Sequence, residues 1–386
     1  MTIQSSAESL STLELPEFAE RFRQWMTANE AQLAPLFATH RDYDERVTAA
    51  RELRRLLFDH DWGRVGWPQQ IGGLGGDGLH RAVLHDELYR AGWPGPAVFE
   101  HLEIIAPTLV EFAEPEFAAA VLPHFLDGSR SWAQGFSEPE AGSDLASLRT
   151  RGVLDGDDFV VTGNKIWTSW SKYAHWCLAL VRTGTPEQRH RGLTMIAIDL
   201  NSPGVDVRTI RQANGTDELA EVWFDAVRVP RSQLIGEIGG GWEVALYLLA
   251  RERGTSSWLR QGAFRQRLGD SAKDMDENLD RQLGDVVLQI AGVRAAAATL
   301  LTHEAAGRQL GPEAAFNKLL MTRTEQNLFN LLRDLDGVPT AQPGHNDEHA
   351  VLQQEYLFSR IVTIYGGSQQ MQLITVARHI LGLRNA

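Results

Sequence analysis

The spacing of hydrophobic residues changes twice along this 386-residue chain, and the order of the changes restricts the folds open to it. Up to about residue 128, apolar positions recur with helical spacing, as in Leu53, Leu56 and Leu57 and in the pairs Leu79/Val83 and Leu84/Leu88. From about 129 to 237 they fall into short strand-like runs. Asp158 to Thr162 and Lys165 to Thr168 flank Gly163-Asn164, which predicts a β-hairpin. His175 to Val181, Leu193 to Leu200, Val205 to Ile210 and Ala220 to Val229 read as further strands, the last stopped by Pro230. From about 238 onward long helical stretches return, interrupted by a polar segment from Asp336 to His349. Helices, then strands, then helices imply an α+β protein. Its parts are an N-terminal helical domain over 1–128, a middle β domain over 129–237 and a C-terminal helical domain over 238–386.

Charge and cysteine content remove several function classes. The net charge of −13 argues against a nucleic-acid binder, which needs a basic face. The single Cys177 excludes an intramolecular disulfide and a multi-cysteine metal site. It lies in an apolar run and is expected in the core. Polar residues follow Met1 with no apolar signal core, and apolar runs such as Val244 to Ala250 are too short to span a bilayer. No membrane partner and a cytoplasmic location are therefore expected. Gly73-Leu74-Gly75-Gly76-Asp77-Gly78 fits the dinucleotide fingerprint GxGxxG, but Trp67-Pro68-Gln69-Gln70-Ile71 before it is not a buried strand, so a loop is expected. His345-Asn346-Asp347-Glu348-His349 sits in a polar stretch and is expected to be a solvated loop; no metal is expected.

Two short motifs in the middle segment carry chemistry. Phe136-Ser137-Glu138-Pro139-Glu140-Ala141-Gly142-Ser143-Asp144 packs hydroxyls, a Pro and a Gly into one loop that turns polar groups outward. Ile166-Trp167-Thr168-Ser169 follows downstream. A bound flavin needs donors at the ring edge where charge collects on reduction, a contact near N5, and a flat residue against the ring. The segments Gln134 to Ser143 and Trp167 to Ser169 supply these types on neighbouring elements of the β domain.

With these motifs the chain resembles the acyl-CoA dehydrogenase family along nearly its full length. Trp67-Pro68 with Gly72-Gly73 resembles the family's N-terminal loop, and Phe224 to Pro230 its last β-domain strand. Ile364-Tyr365-Gly366-Gly367-Ser368 and Ala377-Arg378 to Leu383 resemble its C-terminal motif. The resemblance implies FAD as cofactor. Phe136, Ser137, Trp167 and Ser169 would contact the ring, helped by Gln134, Gly142 and Thr168. Ser143 would lie near the pyrophosphate or the acyl-CoA, and Ser368 and Gln370 would complete the cofactor site. Tyr365, Gly366 and Gly367, with Arg253 and Ser143, would line the substrate.

The implied reaction removes a proton from Cα and a hydride from Cβ of an acyl thioester, which requires a carboxylate base. Many family members place a Glu directly after the Tyr of the C-terminal motif, where this chain has Gly366. Gly366 takes no proton, but its N–H would donate to the thioester carbonyl. Other members carry the base on a C-terminal helix just before an Arg, and Glu252-Arg253 stands there. On a helical wheel from Gly241 to Gln266, Glu252 shares a stripe with Ala245, Leu248, Leu249, Thr255, Ser256, Leu259 and Ala263, while Arg251, Arg253 and Arg260 project to the sides. A carboxylate on such a stripe is costly unless it is used or paired. The alternative is a structural Glu paired to a nearby Arg or Lys. Arg253 would orient Glu252 or line the substrate.

Elsewhere the chain departs from the family pattern. Asp280-Arg281-Gln282-Leu283-Gly284 is a remnant of the usual Arg-x-x-Phe-Gly, and Asp334-Leu335-Asp336-Gly337 replaces the glycine-rich motif that commonly contacts adenine. Some relatives divide these tasks between subunits, so a heterotetramer with a homologous subunit stands beside a homo-oligomer. The expected activity is dehydrogenation of an acyl-CoA to a trans-2-enoyl-CoA, with electrons passed to an electron-transfer flavoprotein. The small Gly366 points to branched or ring-bearing acyl groups such as sterol side chains. The alternatives are a flavin monooxygenase of the same fold and a non-catalytic subunit of a heteromeric dehydrogenase.

Overall fold

A computed structural model describes residues 10–95, 98–271, 280–336 and 346–383. In chain order its helices are α1 (Leu15–Ala28), α2 (Glu30–Leu33), α3 (Tyr43–Asp59), α4 (Gly78–Arg90), α5 (Val98–Phe112) and α6 (Pro115–Leu126), followed after the strands by α7 (Gly241–Ser271), α8 (Asp280–Ala305), α9 (Glu313–Asp336), α10 (Asp347–Phe358) and α11 (Gln369–Thr375). Between them lie β1 (Trp132–Gly135), β2 (Arg151–Asp155), β3 (Asp158–Ser169), β4 (Trp176–Arg182), β5 (Leu193–Asp199), β6 (Val205–Ile210), β7 (Leu219–Pro230) and β8 (Leu234–Ile235). The protein is α+β, as its hydrophobic spacing implies.

The chain divides into two compact units. One comprises residues 1–100, 126–128 and 252–386, the other 101–125 and 129–251. The first unit is helical. Phe18, Phe22, Leu53, Leu57, Trp62, Leu88 and Trp93 form one of its buried clusters, joined by Leu259. Phe264, Val293, Leu328 and Leu332 anchor another. Each such side chain contributes about 1.5–3 kcal/mol on leaving water. Asp42 and Asp77 start α3 and α4 by accepting from backbone N–H groups of the first turn. The stretch 67–77, which matches the dinucleotide fingerprint, is a loop: Trp67 bridges to Gly75 and Arg81 lies 4.0 Å over the Trp67 ring. Residues 337–345 of the polar segment fall outside the described residues, but the loop expected at His345 to His349 is corrected beyond them: Asn346 caps α10 and Asp347 to His349 form its first turn.

α8 modifies the expectation about membrane spans. Residues Arg281–Ala305 reach a mean hydropathy of 1.4 over a window long enough to cross a bilayer, a test that bundle helices also pass. Here α8 packs against α9.

The second unit is built on an eight-stranded sheet of order β6-β7-β3-β2-β4-β5-β8, with β1 parallel to β4. Every residue of β4 is buried, including Cys177, whose thiol burial pushes up to about 12. The hairpin expected at Gly163-Asn164 does not form. β3 is one continuous strand, with β2 on one side and β7 on the other. A tight hairpin turn needs positive φ at both central residues. Only Gly163 has it, at 147°. The strand absorbs the irregularity as a bulge, in which Thr162 faces the two residues Asp225 and Ala226 of β7.

Candidate functional site

β1 delivers the Ser-Glu-Pro loop to the end of the sheet in the second unit. Pro139-Glu140 form a turn closed by two hydrogen bonds, Glu138 N–H to Ala141 O (3.1 Å) and Ala141 N–H to Glu138 O (3.0 Å). Beneath it lies a buried ion pair that the sequence did not reveal. Lys165 Nζ donates to Glu138 Oε1 at 2.7 Å and to Phe136 O at 3.1 Å. Glu138 also accepts from the N–H groups of Arg149 and Thr150. Burial pushes the Glu138 carboxyl up, but Lys165 and these donors outweigh it and hold it below its usual value. Burial dominates for Lys165 and pushes it down. The loop is thus fastened from below by groups it does not share with solvent.

The second motif sits next to the first. Ile166 N–H donates to Ser137 O at 2.9 Å. Between Lys165 and Thr168, β3 bulges against β7, and at this bulge Trp167 takes a φ of 59° with its side chain 56% exposed. Trp170 follows with a φ of 68° and stacks on His101 at 5.0 Å. Left-handed backbone at a tryptophan costs about 1–2 kcal/mol, and such strain collects where a side chain has to be aimed. Thr168 is fully buried with a hydroxyl that has no partner among the described residues; Ser169 and Ser137 are half-buried. Gln134 is half-buried on β1, Phe136 buries its side chain, and Gly142 and Ser143 are exposed. An exposed flat ring beside hydroxyls at a strained bulge fits the flavin that the motifs imply.

The first unit holds the remaining candidates. The turn before α11 places Tyr365, Gly366 and Gly367 beside α7 and α9. Gly366 has a φ of 63°, and a Cβ built on it would lie 2.5 Å from Glu252 Oε1 and 3.5 Å from Lys318 Nζ. The Glu252 carboxylate therefore fills the space that the missing side chain leaves. Arg253 Nε donates to Gly366 O at 3.2 Å, so this residue fastens the turn. Gln372 Nε2 reaches Gly367 O at 3.1 Å from α11. Ser368 caps α11, its hydroxyl accepting from Met371 N–H at 3.3 Å, and Gln370 is exposed. The Tyr365 hydroxyl is buried without a hydrogen-bond partner among the described residues, and Lys318 Nζ stands 4.0 Å over its ring.

The apolar stripe of the helical wheel is present, but the arginines beside it are covered too: Arg251 is buried, and Arg253 and Arg260 are half-buried. Ala245, Leu248 and Leu259 are buried and Glu252 is half-buried. Arg260, at the side of the stripe, is paired and not solvated. It binds Glu100 at 2.5 Å and Glu325 at 3.3 Å, because charged partners as well as apolar ones cover α7. Lys318 and Glu325 were missed. Their signal is the seven-residue spacing on α9, which matches that of Arg253 and Arg260 on α7.

Crowding at Gly366 makes a prediction. Gly366→Ala should lower stability by about 1–2 kcal/mol through its left-handed backbone, with a further loss from the contact with Glu252. Denaturant midpoints of the two purified proteins check this. Equal midpoints would contradict it.

Comparison with known proteins bears on the family and the fold. Residues 13–129, 133–227 and 239–381 match the N-terminal, middle and C-terminal domains of acyl-CoA dehydrogenases. The chain is 35% identical to acyl-CoA dehydrogenase IpdE1 of Mycobacterium tuberculosis (strain ATCC 25618 / H37Rv), over 96% of this chain and 98% of that one. It is 35% identical to acyl-CoA dehydrogenase FadE34 of the same organism, over 87% of this chain and 47% of the relative. Among solved structures, the Tcur3481-Tcur3483 steroid ACAD superposes with a TM-score of 0.79 at 27% identity over 100% of both chains. The ChsE4-ChsE5 complex from Mycobacterium tuberculosis gives 0.79 at 25% identity, again over 100% of both.

Proposed function

Because the chain belongs to the acyl-CoA dehydrogenase family, whose members are FAD-dependent flavoproteins, we propose that it oxidises a steroid-bearing acyl-CoA to the trans-2-enoyl-CoA. Glu252 takes the proton from Cα. The N–H of Gly366 donates to the thioester carbonyl, where enolate charge develops. Arg253 and Gln372 hold the Gly366-Gly367 turn that presents this donor. Trp167, Phe136, Ser137, Thr168 and Ser169 would hold the cofactor ring, with Gln134, Gly142 and Ser143 assisting. When bound, FAD supplies the acceptor for the Cβ hydride, and an electron-transfer flavoprotein takes the electrons onward.

One observation carries the assignment of the base: the Glu252 carboxylate lies where a side chain at position 366 would begin. A glutamate from α7 then serves the position that a glutamate after the Tyr serves elsewhere in the family. The steroid ring system is supported by the solved steroid ACAD at 27% identity. The paired names of that protein and of the ChsE4-ChsE5 complex support assembly with a homologous subunit.

The test is anaerobic mixing of the purified chain, alone and with candidate partner subunits, with straight-chain and steroid acyl-CoA thioesters. The expected result is a yellow protein whose flavin bleaches, with a product two hydrogens lighter than its substrate. A flavin-containing protein that bleaches with none of them, or a colourless one in every combination, would overturn the proposal.

A further inference from the structure

The base does not stand alone in the first unit. Lys318 is 3% exposed and Glu325 2% exposed, both on α9. With Glu252, Arg253 and Arg260 on α7 and Glu100 on α5 they make a neutral group of three acids and three bases. Their signs alternate from Glu100 through Arg260 and Glu325 to Lys318 and Glu252. Arg260 binds both Glu100 and Glu325, so the far end of the row is occupied. At the near end, the Lys318 ammonium and the Glu252 carboxylate both lie beside Gly366, 3.5 Å and 2.5 Å from where its Cβ would stand. The Tyr365 ring closes the other side of the ammonium at 4.0 Å. A buried ammonium is retained against its desolvation only where anions and a π face surround it.

We propose that Lys318 is a positioning residue for the base: its ammonium, beside Gly366, supplies the counter-charge that keeps the Glu252 carboxylate ionised and aimed there, an inference that rests on Glu252 being the base. The charged and titratable groups facing Lys318 are Glu252, Arg253 and Arg260 on α7, Glu325 on its own helix, and Tyr365 on the turn. Burial pushes Lys318 down to about 8, opposed chiefly by Glu252 and then by Glu325. The ammonium is present below that value and is lost as pH rises through it. Proton abstraction then weakens on the alkaline side.

The proton step is read by itself with thioesters that carry α-hydrogens and no β-hydrogen, such as phenylacetyl-CoA and 3,3-dimethylbutanoyl-CoA. Holoenzyme in D2O incorporates deuterium at Cα, measured by mass spectrometry, with no oxidation of the thioester. Exchange by the unaltered protein should fall as pH rises through about 8. Lys318→Met should slow exchange at pH 7 by about 10²-fold, the scale of a misplaced catalytic group. Lys318→Arg keeps its charge to beyond about pH 12 and should recover part of the rate and lose the fall near 8. Bound FAD and far-UV circular dichroism check that each variant folds. If Glu252→Gln exchanges as fast as the unaltered protein, or the unaltered protein exchanges neither thioester, the base assignment fails and this role falls with it. If Glu252→Gln is inactive but Lys318→Met exchanges normally, or Lys318→Arg keeps the same fall near pH 8, Lys318 has no positioning role and the base assignment stands.

Discussion

Glu252→Gln should lower the rate of flavin reduction by an acyl-CoA by about 10²–10⁴-fold, the range that general bases supply. Gln keeps the volume and the hydrogen-bonding reach of Glu252 and removes its ability to take a proton. The Gly366-Gly367 turn keeps its bonds to Arg253 and Gln372, Arg260 keeps Glu100 and Glu325, and Lys318, which loses the Glu252 charge, keeps Glu325 and the Tyr365 ring. Folding and FAD content should therefore match the unaltered protein. Substrate affinity should change little, because the thioester carbonyl is held by a backbone N–H. Anaerobic stopped-flow at the flavin absorbance reads the rate, and titration without turnover reads the affinity. Reduction within tenfold of the unaltered protein would remove Glu252 as the base. A variant that loses FAD would assign Glu252 a structural role instead.

The reason to expect so large an effect is steric. Position 366 and Glu252 address one volume: a Cβ on Gly366 and the Glu252 carboxylate oxygen would be 2.5 Å apart. Two glutamates do not fit there together, and like charges that close would repel strongly. Gly366 and Glu252 are therefore a matched pair. The glycine was legible in the sequence as a missing base, and the wheel of α7 was legible as a candidate for its replacement. That the two residues meet was not, because 113 residues separate the neighbouring Arg253 from Gly366 along the chain.

Other features show where sequence reading succeeds and fails. Strand and helix periods located the helical and β segments, because burial on one face imposes a period whatever the partner. The turn signal Gly163-Asn164 misled, since the same residues that make a hairpin also accommodate a bulge when strands flank both sides. The flavin motifs were found as residue types, but the strained φ of Trp167 and the buried Thr168 hydroxyl appear only in three dimensions. Arg260, Lys318 and Glu325 looked like ordinary charges on long helices. A wheel assumes one apolar face and one wet face, and it fails for a helix that also buries charged groups.

Lys165→Met should destabilise the protein by about 3–5 kcal/mol, since removing one member of a buried ion pair strands the other. Lys165 is fully buried, and its ammonium binds both Glu138 and the Phe136 carbonyl. Met restores most of the volume, so the loss measures the uncompensated Glu138. Its sign is checked by pH. In the unaltered protein Glu138 is held below the value of 4.5, so the pair's contribution is present above 4.5 and is lost as pH falls through the lower folded value. Without Lys165, burial favours the protonated acid, and the variant regains stability relative to the unaltered protein as the solution is acidified. The gap between the two in denaturant titrations should therefore narrow from pH 7 towards pH 4. Adding Glu138→Gln removes the stranded charge and should recover much of the loss at pH 7. The Ser-Glu-Pro loop rests on this pair, and Ser137 meets the Trp167 segment through a single backbone hydrogen bond. FAD release should therefore begin at lower denaturant in Lys165→Met than global unfolding does. Release and unfolding that coincide in both proteins would show that the pair serves the unit as a whole, with no special role for the loop.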